Sequence, residues 1–499
     1  MAADSVYRDE DLQFAFDRED LVGRLRAVVP PDALILDRES LRVYESDGLS
    51  AYRQLPLVAV LPETIAQVQD ILRICHELSV PVVARGAGTS LSAGALPHPR
   101  GVLLHLGKFN RILEVDARRR IARVQPGVRN LAVSEAAAPH GLYYAPDPSS
   151  QIACTIGGNI AENSGGVHCL KYGLTVHNVL EITMVTVEGE RVTLGSLAPD
   201  APGYDLPALA HGSEGMLGVV VEAALRLLPQ PQSRQVLLAA FPDVSSAGEA
   251  VAGVIGAGIV PAGLEMMDNP AIRAAEAFVG AGYPVDAAAI LICELDGHPG
   301  EVDEQLHRVR ELLGRHGAQD IRVARDSREA ARFWAGRKAA FPAVGRISPD
   351  YYCMDGTIPR HRLGEVLARM GELGEAHGLR IANVFHAGDG NLHPLILYDG
   401  NAPGELERTE ELGGRILELC IEVGGTITGE HGVGMEKINQ MCVQFAEPEL
   451  AQFRAVKKSF DPRGLLNPGK AVPTLHRCAE FGGMHVHDGQ LPHPGLERY

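Results

Sequence analysis

The hydrophobic and polar positions of the chain change their period several times between residues 57 and 94. Residues 57–61 form a short apolar run, and apolar side chains then recur at helical spacing, at positions 65, 68, 71, 72 and 75. Pro62 precedes this stretch and suits the opening of a helix. A second apolar run covers residues 80–84 and leads into RGAGTSLSAG at 85–94. The pattern predicts a β-α-β unit that ends in a glycine-rich turn.

Short apolar runs separated by turn residues continue through the first half of the chain. They predict strands at 102–106, 112–116 and 121–127, a strand pair on either side of VEGE within 182–194, and a final strand within 213–229. Residues 139–178 are instead rich in Pro, Gly, Ser and Asn, a composition typical of loops.

The pattern changes after the Pro- and Gln-rich segment PQPQSRQ (229–235), where we place a domain boundary. Helix-like segments and strands then alternate, at 244–258, 262–268, 288–296, 301–316 and 319–325. This predicts an α+β fold of two domains, the second with antiparallel strands. We divide the chain into an N-terminal lead-in (1–54), a first domain (55–231), a second domain with a C-terminal closing segment (232–472), and a tail (473–499).

Composition and charge exclude several classes of protein. Hydrophobic residues make up 45% of the 499 positions and charged residues 22%, as expected for a globular protein. The net charge of −17 argues against nucleic acid or an anionic membrane as a direct partner. No apolar stretch is long enough to span a bilayer, and the acidic N-terminus lacks the features of a signal peptide. We therefore expect a cytoplasmic protein.

The cysteines and the tail carry less information. The eight cysteines form no CxxC pair, so we expect free thiols in a reducing compartment, without a disulfide framework or an iron–sulfur cluster. The tail contains His476, His485, His487 and His493, which lack regular ligand spacing. We expect it to form a surface arm.

Three glycine-rich segments of the first half are candidates for one ligand-binding site. They are RGAGTSLSAG (85–94), PDPSSQIACTIGGNIAENSGG (146–166) and HGSEGMLGVV (211–220). Glycine permits positive φ and close approach of the backbone, and consecutive N–H groups can bind an anion. One such segment alone could be a plain tight loop. Three within one domain suggest a long ligand, with phosphates on the first loop and a ring system along the others.

A second candidate site lies in HAGDGNLH (386–393) and TGEHGVG (428–434). His386 and His393 lie at the two ends of an Asp-Gly turn, which can bring both imidazoles to one side. Glu430 and His431 add a carboxylate and another imidazole. Two histidines and one carboxylate suit Zn, Mn or Fe. The alternative is a structural hairpin that begins and ends in histidine.

The glycine-rich segments resemble the flavin-binding motifs of the vanillyl-alcohol-oxidase family, and FDPRGLLNPGK (460–470) resembles its closing motif. The resemblance covers roughly residues 55–472 and implies FAD, which we expect to be noncovalent, between an FAD-binding domain and an antiparallel-sheet cap domain. By position, Arg85, Gly86, Gly88, Thr89 and Ser90 would hold the pyrophosphate. Along the flavin would lie Pro146, Asp147, Ser149, Gly157, Asn159, Ser164 and Gly165. Glu214, Gly218 and Val220 would meet the adenine or the ring edge, with Asn467 and Lys470 near the flavin.

The histidine motifs resemble those of the FAD-linked 2-hydroxy-acid dehydrogenases, which act on acids such as D-lactate, D-2-hydroxyglutarate and glycolate. The resemblance implies that His386, His393 and Glu430 bind a divalent metal and that His431 is the catalytic base. Arg337, in FWAGRKAAF, resembles the arginine that binds the substrate carboxylate; its alternative role is a solvated helix arginine. Relatives acting on dicarboxylic acids carry a Thr and a Lys where this chain has Phe341 and Tyr352 or Cys353. The chain is therefore expected to take a small monocarboxylic acid.

Residues 342–359 resemble the corresponding segment of the FAD-linked subunits of bacterial glycolate oxidases. This implies oxidation of glycolate to glyoxylate, with a second flavin-fold subunit and an iron–sulfur subunit as partners and contact with the membrane only through them. D-lactate dehydrogenase is the nearest alternative. A noncatalytic flavin-fold subunit would not need the His and Glu set, and a metal-dependent hydrolase would leave the glycine-rich loops without a role.

Overall fold

The computed structural model describes residues 6–198, 203–474 and 477–478. In chain order the strands are β1 (Leu34–Ile35), β2 (Val58–Val60), β3 (Val82–Arg85), β4 (Val102–His105), β5 (Ile112–Asp116), β6 (Ile121–Val124), β7 (Leu142–Tyr143), β8 (Val179–Val185), β9 (Arg191–Gly195), β10 (Val219–Arg226), β11 (Leu228–Pro229), β12 (Ser233–Phe241), β13 (Gly263–Asp268), β14 (Ala289–Gly297), β15 (Asp320–Val323), β16 (Asp350–Cys353), β17 (Arg380–Phe385) and β18 (Pro394–Tyr398). The α-helices are α1 (Arg18–Val28), α2 (Arg38–Leu41), α3 (Ile65–Leu78), α4 (Asn130–Ala137), α5 (Ile156–Glu162), α6 (Cys169–Tyr172), α7 (Leu206–Ala210), α8 (Val244–Gly256), α9 (Asn269–Val279), α10 (Pro299–Arg315), α11 (Ser327–Lys338), α12 (Ala340–Val344), α13 (Leu363–His377), α14 (Glu405–Glu422), α15 (Ile438–Gln444) and α16 (Glu447–Phe460).

The first half of the molecule contains two larger sheets and the two-stranded sheet β11-β7. The first has the order β1-β2-β4-β3, in which β4 runs parallel to both β2 and β3. The predicted β-α-β unit is present as β2, α3 and β3, and Thr64 and Gln67 form a capping box at the start of α3. The second sheet is antiparallel, with the order β5-β6-β10-β8-β9. The first glycine-rich loop follows β3 of the first sheet, whereas the second precedes β8 and the third leads into β10 of the second sheet.

The second half is built on one antiparallel sheet, with the order β15-β12-β14-β13-β17-β18-β16. One face packs against α8, α10 and α13, and the other against α9 and α11. Strand β13 lies in the middle of the sheet and is buried along its whole length. The candidate histidine turn joins the adjacent strands β17 and β18, so this sheet determines where the two histidines lie.

The end of the described chain returns to the first half. Val82 donates its N–H to the carbonyl of Leu465, and Asn467 donates its N–H to the carbonyl of Val82. The closing motif FDPRGLLNPGK is therefore attached to the edge strand β3, beside the first glycine-rich loop. Among the described residues, no helix combines the length and apolar character that crossing a bilayer requires.

The expectation of free thiols throughout is wrong at one pair, because Cys442 and Cys478 form a disulfide. The other six cysteines are free and buried. The two partners are 36 positions apart in sequence and meet because the tail folds back onto α15. Cys478 is buried, so this part of the tail is not a surface arm. The tail histidines lie outside the described residues.

Candidate active site

The three glycine-rich segments converge on one cavity. Its walls comprise residues 84–91 at the end of β3, residues between 148 and 164, and residues between 213 and 220. The second half contributes His393, Glu430 and His431 to the same walls. The two candidate sites therefore open into one cavity. The sequence alone did not predict this, because the two sites lie far apart along the chain.

The first two loops approach each other too closely for side chains. A Cβ atom at Gly86 would overlap the hydroxyl of Thr155, and Gly88 adopts a positive φ of 70°. Thr155 Oγ1 itself is buried on the cavity wall and has no hydrogen-bond partner. A buried hydroxyl without a partner is unusual, so this wall fits a ligand rich in oxygen atoms, such as a dinucleotide.

Most of the predicted FAD contacts line the cavity. Those that do are Arg85, Gly86, Gly88, Thr89, Ser90, Ser149, Gly157, Asn159, Ser164, Glu214, Gly218 and Val220. The Arg85 guanidinium donates hydrogen bonds to the carbonyls of Tyr44 and Ser46, at 3.2 and 2.7 Å. These bonds hold the arginine against the N-terminal segment at the cavity edge.

The other predicted FAD residues lie behind the wall, namely Pro146, Asp147, Gly165, Asn467 and Lys470. Asn467 Nδ2 and Lys470 Nζ both donate to the carbonyl of Gly94, at 3.0 and 3.1 Å, so they brace the first loop from outside. A Cβ atom at Gly165 would lie 2.6 Å from Glu430 Oε2, so this glycine allows the close approach of the histidine-glutamate segment.

The turn in HAGDGNLH brings its two histidines together. The backbone N–H of His386 donates to the carbonyl of Asn391, and that of Gly390 donates to the carbonyl of His386, each at 3.1 Å. Both side chains are buried. The ring centroids of His386 and His393 are 5.0 Å apart, with 82° between the ring planes.

Glu430 lies between the histidines. Its Oε1 is 3.2 Å from His386 Nε2, 3.2 Å from His393 Nε2 and 3.9 Å from His431 Nε2. The ligand atoms of His386, His393 and Glu430 all lie within 4.8 Å of one another. This donor set of two imidazoles and one carboxylate fits a divalent metal ion of the Zn, Mn or Fe type.

The segment that carries Glu430 and His431 is held by a buried carboxylate. Asp355 Oδ2 accepts the backbone N–H groups of Gly429, Glu430 and His431, at 3.1, 3.2 and 2.8 Å, and the hydroxyl of Thr428 at 2.6 Å. Asp355 is fully buried. The backbone conformation at the candidate base and at one candidate ligand therefore depends on this single side chain.

The pKa values of His386 and His431 are shifted in opposite directions by their surroundings. Burial alone would lower the pKa of His386, but the carboxylates of Glu265 and Glu430 raise it well above its ordinary value. Burial lowers the pKa of His431 to about 4, with Asp355 opposing the change and His393 adding to it. At neutral pH, His431 is therefore neutral and able to accept a proton.

Arg337 is not a solvated helix arginine, because it is only 1% exposed. Its Nη2 atom lies 2.7 Å from Glu265 Oε2, and Glu265 Oε1 lies 2.8 Å from His386 Nδ1. The guanidinium is thus joined to the histidine cluster through one carboxylate. Lys338 and Phe341, which follow it in the chain, line the cavity, whereas Arg337 itself lies behind the cavity wall.

Three buried residues of this site were not predicted from the sequence, namely Glu265, Asp355 and Lys437. Glu265 is the one charged residue within the apolar run of 262–267, and such an isolated charge in a predicted buried strand is a usable signal. Asp355 and Lys437, whose Oδ2 and Nζ lie 3.7 Å apart, offer no comparable signal because their surroundings in the sequence are mixed.

Two models of known protein families match the two halves of the chain separately. Residues 56–195 match the model of an FAD binding domain, and residues 230–471 match that of the C-terminal domain of FAD linked oxidases. The chain is 63% identical over 498 residues to the glycolate oxidase subunit GlcD of Escherichia coli K12, covering 99% of this chain and 100% of the relative.

The chain belongs to the FAD-linked oxidases. Another relative is a D-lactate dehydrogenase of Archaeoglobus fulgidus, 33% identical over 461 residues, which cover 91% of this chain and 99% of that protein. The crystal structure of p-cresol methylhydroxylase with substrate bound superimposes with a TM-score of 0.77, covering 94% of this chain and 98% of that one, at 16% identity. At that identity the likeness concerns the fold alone.

The predicted fold class and recognition are confirmed by these comparisons. This FAD-linked oxidase has the two-part α+β architecture of the vanillyl-alcohol-oxidase type, with an antiparallel sheet in its second half. It is an FAD-dependent oxidoreductase, as the glycine-rich loops indicated. A hydrolase that leaves those loops without a role is excluded.

Proposed function

We propose that this protein is the catalytic subunit of a glycolate dehydrogenase, which oxidises glycolate to glyoxylate. The observation that carries the proposal is the opening of His393, Glu430 and His431 into the cavity lined by the glycine-rich loops. An acid bound at the histidine cluster would lie beside a flavin bound along the loops. The identity to the E. coli glycolate oxidase subunit supports glycolate as that acid.

His431 is the residue we assign as the base. Oxidation of a 2-hydroxy acid requires the hydroxyl proton to leave while the α-hydrogen is removed with its electron pair. A neutral imidazole on the cavity wall can take that proton. FAD supplies the acceptor for the hydride when it is bound. We expect it to be held noncovalently by the loop residues that line the cavity.

His386, His393 and Glu430 would hold a divalent metal ion. Such an ion supplies Lewis acidity that lowers the pKa of a coordinated hydroxyl group. Arg337 is the cationic group assigned to the substrate carboxylate, since guanidinium pairs with carboxylate through a planar fork. Phe341 lines the cavity with its ring centroid 6.2 Å from that of His393, and its apolar surface suits a small acid with one carboxylate.

Electrons that reach the flavin need a further acceptor. The eight cysteines form no CxxC pair, which argues against an iron–sulfur cluster bound within this chain. We assign the onward transfer to a second flavin-fold subunit and an iron–sulfur subunit. Contact with the inner face of the membrane, from the cytoplasmic side, would be made through these partners.

Anaerobic reduction of the flavin by a panel of acids tests the proposal. Purified protein should be yellow, and glycolate should bleach it faster than D-lactate or D-2-hydroxyglutarate. Preincubation with a chelator should slow the bleaching, and acid precipitation should release FAD into the supernatant. Faster reduction by D-lactate would reassign the enzyme to the D-lactate dehydrogenases, and no reduction by any of these acids would mark a noncatalytic subunit.

A further inference from the structure

Glu265 occupies a position where a carboxylate is costly. It lies in β13, the central strand of the seven-stranded sheet, and is 1% exposed. The neighbouring side chains Leu264 and Met266 pack in the core on one face of this sheet. Glu265 points to the opposite face, where α11 packs. A buried carboxylate is tolerated only when its oxygen atoms are paired.

Each oxygen of Glu265 has a different partner. Oε1 lies 2.8 Å from Nδ1 of His386, and Oε2 lies 2.7 Å from Nη2 of Arg337. His386 is also buried, with 4% of its side chain exposed. The turn is attached to the same strand, because Gly388 donates its N–H to the carbonyl of Leu264 at 2.9 Å. The contact between Glu265 and His386 is therefore fixed by the backbone as well.

The contact determines which nitrogen of His386 is available. When Nδ1 donates its hydrogen to Glu265, the lone pair of the neutral ring lies on Nε2. Nε2 is the nitrogen that faces Glu430, at 3.2 Å. Carboxylates placed in this way behind a ligating histidine orient the ring and increase its basicity as a ligand.

We propose that Glu265 is a positioning residue that serves two parts of the active site. Through Oε1 it holds His386 in the tautomer that can ligate a metal ion, and through Oε2 it orients the guanidinium of Arg337 for the substrate carboxylate. The inference rests on the proposed function, and it adds a residue that touches neither substrate nor metal.

Glu265→Gln tests both contacts. The amide oxygen can accept from only one of the two donors, and the amide NH2 group would then face the other. We expect the Kd for Zn²⁺ and Mn²⁺, titrated into chelator-treated protein, to rise about 10- to 100-fold. We also expect the KM for glycolate to rise. FAD absorbance should remain that of wild type, because the residue does not line the cavity.

Two further variants complete the design. Glu265→Asp keeps the charge but shortens the side chain, so its metal Kd should lie between those of wild type and Glu265→Gln. If Glu265→Gln fails to fold, the metal Kd of Glu265→Asp still tests the proposal. Asp268→Asn is the matched control, because Asp268 is a buried carboxylate on the same strand that pairs instead with Asn383, at 2.8 Å. Its metal Kd should equal that of wild type.

The outcomes separate this inference from the function proposed above. If wild type binds metal and both Glu265 variants bind it with the wild-type Kd, the positioning role is overturned and the metal site stands. If wild type binds neither Zn²⁺ nor Mn²⁺, the metal site itself is overturned, and the role assigned to Glu265 at His386 is overturned with it.

Discussion

At the scale of single residues, His431 differs from the other histidines of the cluster in both charge and contacts. Its ring stacks on that of His393, with centroids 4.8 Å apart and an interplanar angle of 4°. Burial lowers its pKa, whereas carboxylates raise the pKa of His386 and that of His393 despite burial. Different neighbours thus give the same residue type a lowered pKa at one position and a raised pKa at two.

Replacing His431 with Asn should remove the proton acceptor and leave the fold intact. We expect the rate of anaerobic flavin reduction by glycolate to fall about 10²- to 10⁴-fold, the usual contribution of a general base. Stopped-flow absorbance measures this rate, and FAD and metal content should match wild type. Reduction at the wild-type rate would remove His431 from the mechanism.

At the scale of elements, the turn between β17 and β18 depends on its glycines. Gly390 has a φ of 85°, and a Cβ atom there would overlap the carbonyl oxygen of Ile358. That oxygen belongs to backbone and cannot move aside as a flexible side chain could. Replacing Gly390 with any other residue should therefore displace the turn that aligns His386 with His393.

Gly390→Ala should weaken metal binding without touching a ligand. We expect a loss of at least about tenfold in metal affinity, by analogy with other changes around ligands, measured by titration of chelator-treated protein. Gly378→Ala is the control, since Gly378 also has a positive φ, 66°, but its Cβ would meet nothing within 4 Å. The left-handed backbone should cost each variant about 1–2 kcal/mol of stability. The overlap with Ile358 should add to this cost in Gly390→Ala, and only Gly390→Ala should lose metal. Equal metal affinity in the two variants would contradict the role of the turn.

At the scale of the whole molecule, one histidine joins the two halves. His168 Nδ1 lies 2.8 Å from Asp147 Oδ2 in the first half, and its Nε2 lies 3.2 Å from Glu294 Oε1 in the second. Glu294 also accepts a hydrogen bond from Trp334, the single tryptophan of the chain, at 2.7 Å. Burial alone would lower the pKa of His168, but the two carboxylates raise it to about 10.

This shift predicts a stability that depends on pH. Because the pKa of His168 is higher in the folded state than its ordinary value of about 6.5, its charge stabilises the fold fully below that pH, and the contribution is lost as pH rises through 10. Wild type should have a higher Tm than His168→Gln at pH 6, by several degrees, and the difference should shrink towards pH 10. Trp334 fluorescence can follow the unfolding. A difference that does not change with pH would rule out this linkage.

Some features could be predicted from residues that are close in the sequence. The period of α3, the glycine density of the loops and the Asp-Gly turn of HAGDGNLH are all local, so these elements could be predicted, and twelve of the seventeen residues predicted to contact FAD line the cavity. Asp147 shows the limit of that reasoning. It lies in a loop that lines the cavity. Its carboxylate pairs instead with His168, the residue that immediately precedes α6.

The sequence by itself determined the fold class, the family and the presence of two motifs capable of redox and metal chemistry, because glycine, histidine and turn residues act over a few positions. Only the tertiary structure decided that these motifs share a cavity, that Asp355 and Glu265 hold them from behind, and that Cys442 meets Cys478. These facts depend on strand order and on the return of the C-terminal segment. Buried carboxylates and thiols acquire their partners from elements far away in the chain, and no local pattern records such contacts.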